Sequence, residues 1–220
     1  MENKETVLVT GGSGFIGSHC IIQLAAAGYN VKATVRDLSR TNKLNQILLT
    51  GLEKHEQKSD LSVDWQVANL SSDEGWDEAV KGCDYVLHVA SPIGMELPKN
   101  EDEMVKPAVE GTLRVLKAAS KAGVKRVVIT SSVAAIMYGT DKQGVFNEED
   151  WTNPESKTTN VYAKSKTLAE QAAWDFIKKD TSGMELSTVL PAMVFGPILE
   201  EDFGVSVGAI LDMMNGKYPI

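Results

Sequence analysis

A doubly wound α/β fold, a parallel sheet with helices on both faces, is the architecture this sequence predicts, on three observations. Short runs rich in β-branched residues alternate with amphipathic stretches along most of the chain. The first such run leads directly into a glycine-rich turn and a helical pattern. The chain has 220 residues, 43% of them hydrophobic, enough for one sizeable core and the start of a second lobe.

Taken in order, Thr6–Thr10 (TVLVT) reads as a buried strand. Phe15–Gly28 reads as a helix, with Ile16, Cys20, Leu24 and Ala27 at helical spacing. Val31–Arg36 is the second strand, Asn42–Leu49 a short helix, Val63–Ala68 the third strand and Trp76–Lys81 a turn or two of helix. Asp84–Ala90 (DYVLHVA) is strand four. Glu103–Ala122 is a long helix with Val105, Val109, Leu113, Leu116 and Ala119 along one face. Lys125–Ser131 is strand five, Val161–Lys178 a helix and Leu186–Leu190 strand six. Gly51–Asp60 is polar and charged and is expected to be a surface loop. Gly139–Asn160 is a longer polar excursion, of a length that in compact domains is often functional. Right-handed crossovers between such strands give the doubly wound sheet.

Composition narrows the partners. Lys and Arg total 22 against 30 Asp and Glu, a net charge of −8. An acidic chain is a poor binder of phosphate backbones, so no nucleic-acid partner is expected. Cys20 and Cys83 lie far apart and fit no metal-ligand spacing. Both are expected to be buried thiols in a reducing compartment. The start, Met1-Glu2-Asn3-Lys4-Glu5, carries no signal-peptide pattern, and no apolar run reaches membrane-spanning length. A soluble cytoplasmic protein acting on a small molecule, without metal or membrane, is the expectation.

The first motif is Thr10-Gly11-Gly12-Ser13-Gly14-Phe15-Ile16-Gly17, glycines spaced G-x-x-G-x-x-G between a strand and a helix. Gly11 permits a tight turn, Gly14 lets a pyrophosphate approach the backbone, and Gly17 lets the helix lie close to the sheet. The helix start offers unpaired N–H groups and partial positive charge to the anion. This is a dinucleotide cradle of the Rossmann type. Strand two ends in Arg36, followed by Asp37, with Arg40 and Lys43 within a turn. Guanidinium and ammonium groups suit a ribose 2′-phosphate, which favours NADP(H) over NAD(H). Asp37 taking a free ribose 2′-hydroxyl is the alternative.

The second motif is Tyr-x-x-x-Lys. A free tyrosine has a pKa of about 10. A nearby ammonium stabilises the phenolate and makes the phenol usable in acid-base chemistry at a carbonyl oxygen. The two side chains need one helix face, which i,i+4 spacing supplies. The motif occurs twice. Tyr138–Lys142 sits among Gly139, Asp141 and Gly144 and reads as loop. Tyr162–Lys166 opens a strong helical pattern, and Lys164 between them points elsewhere. Tyr162 and Lys166 are therefore the candidate pair. Thr130-Ser131-Ser132 ends strand five, where ligands bind in such sheets. Consecutive strand residues face opposite ways, so one of the two serines faces the site, and the pattern alone does not select it.

The ordered set TGGSGFIG, TVRD, HVASP, TSS, YAKSKTLAEQAAW and LPAMVFGP resembles the extended short-chain dehydrogenase/reductase family over nearly the whole chain. It is most similar to the dihydroflavonol reductases, cinnamoyl-CoA reductases and yeast-type methylglyoxal/ketone reductases. The resemblance implies an NADPH-dependent carbonyl reductase with Ser132, Tyr162 and Lys166 as its catalytic residues. It implies that Arg36 and Lys43 bind the 2′-phosphate, and that Val89, Ala90, Ser91 and Pro191–Val194 line the nicotinamide side. Gly11, Ser13, Gly14, Phe15, Ile16 and Gly17 would hold the pyrophosphate. In this family an Asp-Leu pair follows strand three near the adenine; here it is Asn69-Leu70, whose amide can still bind a base edge. Met137 stands where the plant dihydroflavonol enzymes carry a polar residue, which argues for a smaller or more apolar carbonyl. Family members continue into a C-terminal lobe. Residues 1–190 are thus expected to be the cofactor domain and 191–220 the beginning of a substrate lobe, the remainder absent, in a monomer or homodimer. Two other functions fit the fold: a nucleotide-sugar epimerase or dehydratase, and a non-enzymatic NADP(H) sensor. TVRD and SKTLAEQAAW favour the reductase over the first, and an intact Tyr162–Lys166 pair favours it over the second.

Overall fold

In the computed structural model, which describes residues 4–54, 61–92, 98, 100–200 and 204–217, six parallel strands form one sheet in the order β3-β2-β1-β4-β5-β6. The strands are β1 (Thr6–Thr10), β2 (Asn30–Val35), β3 (Val63–Val67), β4 (Tyr85–His88), β5 (Arg126–Thr130) and β6 (Glu185–Val189). The helices are α1 (Phe15–Ala26), α2 (Thr41–Lys54), α3 (Trp76–Val80), α4 (Asp102–Ala122), α5 (Val161–Ile177) and α6 (Gly204–Met214). Two 3-10 turns, Leu38–Arg40 and Val133–Ala135, complete them.

Because side chains alternate across a strand, each central strand feeds two cores. Leu8 and Val86 join the core beneath α3, α4 and α5, with Val115, Leu116, Ala119 and Ala173. Val9 and Val31 join the core beneath α1 and α2, with Ile21, Ile22, Leu48 and Leu52. Burial on both faces explains why β1 reads as a continuous apolar run rather than an alternating one. From β1 the chain winds outward through β2 and β3, then crosses back to β4, β5 and β6. The crevice at this reversal lies over Thr10 and His88, register partners at the ends of β1 and β4.

Several predicted boundaries move. Residues 51–54, expected in a surface loop, are the last turn of α2, and Gly51 and Leu52 are buried. Leu44, Leu48 and Leu52 form an i,i+4 stripe that carries the helix through the polar stretch. The remainder of that predicted loop, residues 55–60, lies outside the described residues. β4 stops at His88 instead of Ala90, because the Val89 and Ala90 N–H groups donate to the Thr10 hydroxyl oxygen (3.1 and 3.0 Å). The fully buried residues of α1 are Gly17, Ser18, Ile21, Ile22 and Ala25; of the predicted row, Cys20 and Leu24 are half-buried against the same core, Ile16 is half-buried and Ala27 is exposed. In α4 the buried residues include Met104, Ala108, Thr112 and Val115 together with the expected Leu116 and Ala119, while Val105, Val109 and Leu113 are half-buried. Cys83 is buried and Cys20 only partly so; both are free thiols. No helix among the described residues is long and apolar enough to cross a membrane.

Candidate active site

The turn after β1 is built as its glycines require. Gly11 has φ +68°, in the left-handed region, and its carbonyl accepts the Gly14 N–H (3.0 Å). A Cβ on Gly17 would lie 2.3 Å from that same carbonyl oxygen, so only glycine lets α1 approach the turn. Gly14 is the N-cap of α1 and places no side chain on the first-turn N–H groups. The helix start is left able to receive an anion, which is what a pyrophosphate needs. Phe15 stacks edge-on against His19, and Ser13 and Ile16 are half-buried beside it.

Beneath the turn lies a hydrogen-bond cluster that the sequence did not reveal. The Thr10 hydroxyl oxygen accepts the Val89 and Ala90 N–H groups and sits 2.8 Å from His88 Nδ1. With both of its acceptor positions used, that hydroxyl donates to Nδ1. The proton of neutral His88 is then on Nε2, which faces the Thr112 hydroxyl at 3.5 Å. Burial, and secondarily the charge of Lys166, pushes His88 down to about 3. The imidazole is thus a fixed neutral link that sets the backbone of Val89 and Ala90, ahead of half-buried Ser91.

Helix α5 begins at Asn160, whose side chain caps it by accepting the Ala163 N–H at 2.8 Å. Tyr162 is therefore in the first turn, half-buried, with Lys166 one turn on and buried. The Lys166 ammonium donates to the Thr130 carbonyl at the end of β5 (3.1 Å). Burial pulls its pKa down to about 8, with Glu170 opposing the shift. Lys164 instead pairs with Glu101 and Glu155, away from this face. The other Tyr-x-x-x-Lys match is not helical: Lys142 is held by both oxygens of Asp150, 2.6 Å each, within the loop.

The two serines after β5 do diverge. The Ser131 hydroxyl donates to Glu170 on α5. Ser132 caps the following 3-10 turn, its Oγ accepting the Ala134 N–H (3.1 Å) and its hydroxyl hydrogen left for another acceptor. Helix α5 packs against that 3-10 turn, which brings the Ser132 and Tyr162 segments together. Pro191 joins the same region, its carbonyl accepting the Val133 N–H (3.1 Å), while the Val194 N–H donates to Ser206.

At the other end of the crevice Arg36, Arg40 and Lys43 are exposed. Asp37 is committed to its own turn, accepting from the Ser39 N–H and hydroxyl (2.8 and 2.6 Å), which hold its carboxyl below the ordinary range. Glu200 lies 3.6 Å from Arg40 and 3.9 Å from Lys43. Asn69 is exposed, its Oδ1 accepting the Ser71 N–H, and Leu70 packs on Gly111 of α4. Met137 is exposed.

His88, Thr112 and Glu170 escaped the sequence patterns. A histidine inside an apolar strand, and a glutamate four residues past Lys166 on the buried side of a helix, were the available signals.

The chain is similar to known proteins in both sequence and fold. Dihydroflavonol 4-reductase of Arabidopsis thaliana is 40% identical over 205 residues, covering 90% of this chain and 52% of that protein. Cinnamoyl-CoA reductase CAD2 of Medicago truncatula is 39% identical over 217 residues, covering 96% and 64%. The chain thus spans between half and two thirds of these relatives' length. Among solved structures, yeast methylglyoxal/isovaleraldehyde reductase Gre2 complexed with NADPH superposes with a TM-score of 0.73 at 31% identity, covering 87% of this chain and 59% of that one. The model of the NAD dependent epimerase/dehydratase family matches residues 7–218. With a glycine cradle at the sheet's switch point and nearly the whole chain matched, this protein belongs to the NAD dependent epimerase/dehydratase family.

Proposed function

We propose that the chain forms the cofactor-binding and catalytic part of an NADPH-dependent reductase that transfers a hydride to the carbonyl carbon of a small or moderately apolar ketone or aldehyde. The observation that carries this reading is Lys166, a buried ammonium anchored on the Thr130 carbonyl one helical turn from Tyr162. A buried ammonium is costly, and an acid-base site explains its retention.

NADPH, when bound, supplies the hydride. Tyr162 gives its hydroxyl proton to the carbonyl oxygen as charge develops there. Lys166 holds positive charge beside that phenol and binds the nicotinamide ribose. Ser132, its oxygen held by the Ala134 N–H, donates its hydroxyl to the same carbonyl oxygen. Gly11, Gly14 and Gly17, with Ser13, Phe15 and Ile16, hold the pyrophosphate on the uncapped start of α1. Val89, Ala90, Ser91, Pro191 and Val194 line the nicotinamide side, and Asn69 and Leu70 the adenine. Arg36 and Lys43 take the 2′-phosphate; the self-satisfied carboxylate of Asp37 supports NADPH over NADH. Residues 191–220 begin a substrate lobe. The exposed apolar side chains of Met193, Phe195, Ile198, Met213 and Met214 support that division. The named reductases among the relatives, and the NADPH in the yeast structure, support the same chemistry. The working protein is read as a cytoplasmic monomer or homodimer.

The test is NADPH oxidation by the protein against a panel of ketones, aldehydes and nucleotide sugars. Turnover of a carbonyl, abolished in Tyr162→Phe with NADPH affinity nearly intact, is expected. Tight NADPH binding without turnover of any carbonyl, or turnover of sugars alone, would sink the reading.

A further inference from the structure

We propose that Glu170 is a positioning residue for this reaction: its carboxylate, fixed by Ser131 and Trp174, is the buried counter-charge that keeps Lys166 an ammonium beside Tyr162. The chemistry rests on the reductase reading, but the first test below does not.

Glu170 and Lys166 are one turn apart on α5, and their exposures are only 5% and 8%. Burying either charge alone is expensive; burying them together is much less so. Both line one small, partly open pocket, with His88, Thr112 and Ser131 around it. Each oxygen of Glu170 accepts a hydrogen bond: one from the Ser131 hydroxyl, the other from Trp174 Nε1 at 3.3 Å. Acceptance at both oxygens is what an ionised carboxylate provides.

No other negative charge is placed to do this among the described residues around Lys166. From β4 comes His88, held neutral by Thr10. From β5 come Thr130 and Ser131, and from α4 Ala108 and Thr112, all uncharged. On α5 itself the neighbours are Tyr162 and Glu170. Burial drives the lysine toward the neutral amine, and Glu170 is the group acting against that. Ser131, the serine that does not face the carbonyl, thus serves to orient Glu170.

The experiment is a pH titration of the lysine ε-carbons by NMR in the 220-residue chain, with the Lys166 signal assigned from Lys166→Arg. Glu170→Gln should lower the Lys166 midpoint by about one pH unit, and Glu170→Asp should restore much of it. Ser131→Ala, which leaves both charges, should move it far less. Glu170→Gln keeps both partners only with its amide oxygen toward the Trp174 N–H and its NH2 toward the Ser131 oxygen, so Glu170→Gln/Trp174→Phe serves as the second variant if the single one does not fold. An unchanged midpoint in a folded variant would overturn the proposal. In turnover assays, the alkaline limb of kcat should move down with the NADPH KM nearly constant. A lower kcat with an unmoved limb would assign Glu170 a purely structural role and overturn the proposal. Absence of turnover in the unmodified enzyme would instead count against the reductase reading, with the Lys166 titration still deciding the role of Glu170.

Discussion

His88 should make this protein acid-sensitive by an amount that can be worked out. The residue is 2% exposed, and its Nδ1 receives the Thr10 hydroxyl, whose oxygen is already filled by two N–H groups. Protonating Nδ1 would set a donor against a donor in a buried site. The folded pKa falls from 6.5 to about 3. The sign follows from proton counts: below 6.5 the unfolded chain binds a proton that the native state refuses until about 3. The contribution to stability is therefore intact above 6.5 and is lost as pH falls. Between pH ~7.5 and ~5 the loss is about 2 kcal/mol from this one group, a sizeable part of the roughly 5–15 kcal/mol typical of a domain. Urea unfolding of the unmodified protein and of His88→Asn at both pH values measures it. Asparagine Oδ1 stands roughly where Nδ1 does and can still accept from Thr10, but it does not titrate. The variant should be less stable at pH ~7.5, and its further loss on acidification smaller by about 2 kcal/mol. Parallel losses in the two proteins would refute the buried neutral histidine.

Other outcomes are equally open to measurement. Gly17→Ala should lower stability by about 1–3 kcal/mol and weaken NADPH binding, because its Cβ meets the Gly11 carbonyl oxygen at 2.3 Å; unchanged thermal unfolding and calorimetric affinity would contradict that geometry. Arg36→Ala should raise the Kd for NADPH about tenfold or more while sparing NADH, and equal effects would remove the 2′-phosphate role. Glu200→Gln, which releases Arg40 and Lys43, should tighten NADPH binding about two- to fivefold and lose that gain at high salt; no change would mean the ion pairs do not compete with the phosphate. Lys142→Ala should leave kcat intact and shift stability by no more than about 0.5 kcal/mol, since its ammonium is tied to Asp150 in a loop.

The sequence alone determined the order of strands and helices named in it, the glycine-rich turn, and that Tyr162–Lys166, unlike Tyr138–Lys142, opens a helix. These are local: a turn needing φ > 0 at Gly11, or a helix start bringing i and i+4 together, is written in adjacent residues. Side-chain period did less well where neighbouring positions are all apolar. In α1 both the Ile16–Cys20–Leu24 row and the Ile21–Ile22–Ala25 row fit a helix. The close approach of Gly17 to the turn, where a Cβ would lie 2.3 Å from the Gly11 carbonyl oxygen, fits the second row facing inward. The tertiary structure alone decided how the polar groups pair. Thr10 and His88 are 78 residues apart yet become partners because β4 crosses back beside β1. Strand alternation does not choose between Ser131 and Ser132, and in the structure Ser131 bonds Glu170 on α5 while Ser132 caps the next turn. Long-range partners follow from which strands lie side by side, and strand order depends on the packing of the whole chain rather than on any one segment.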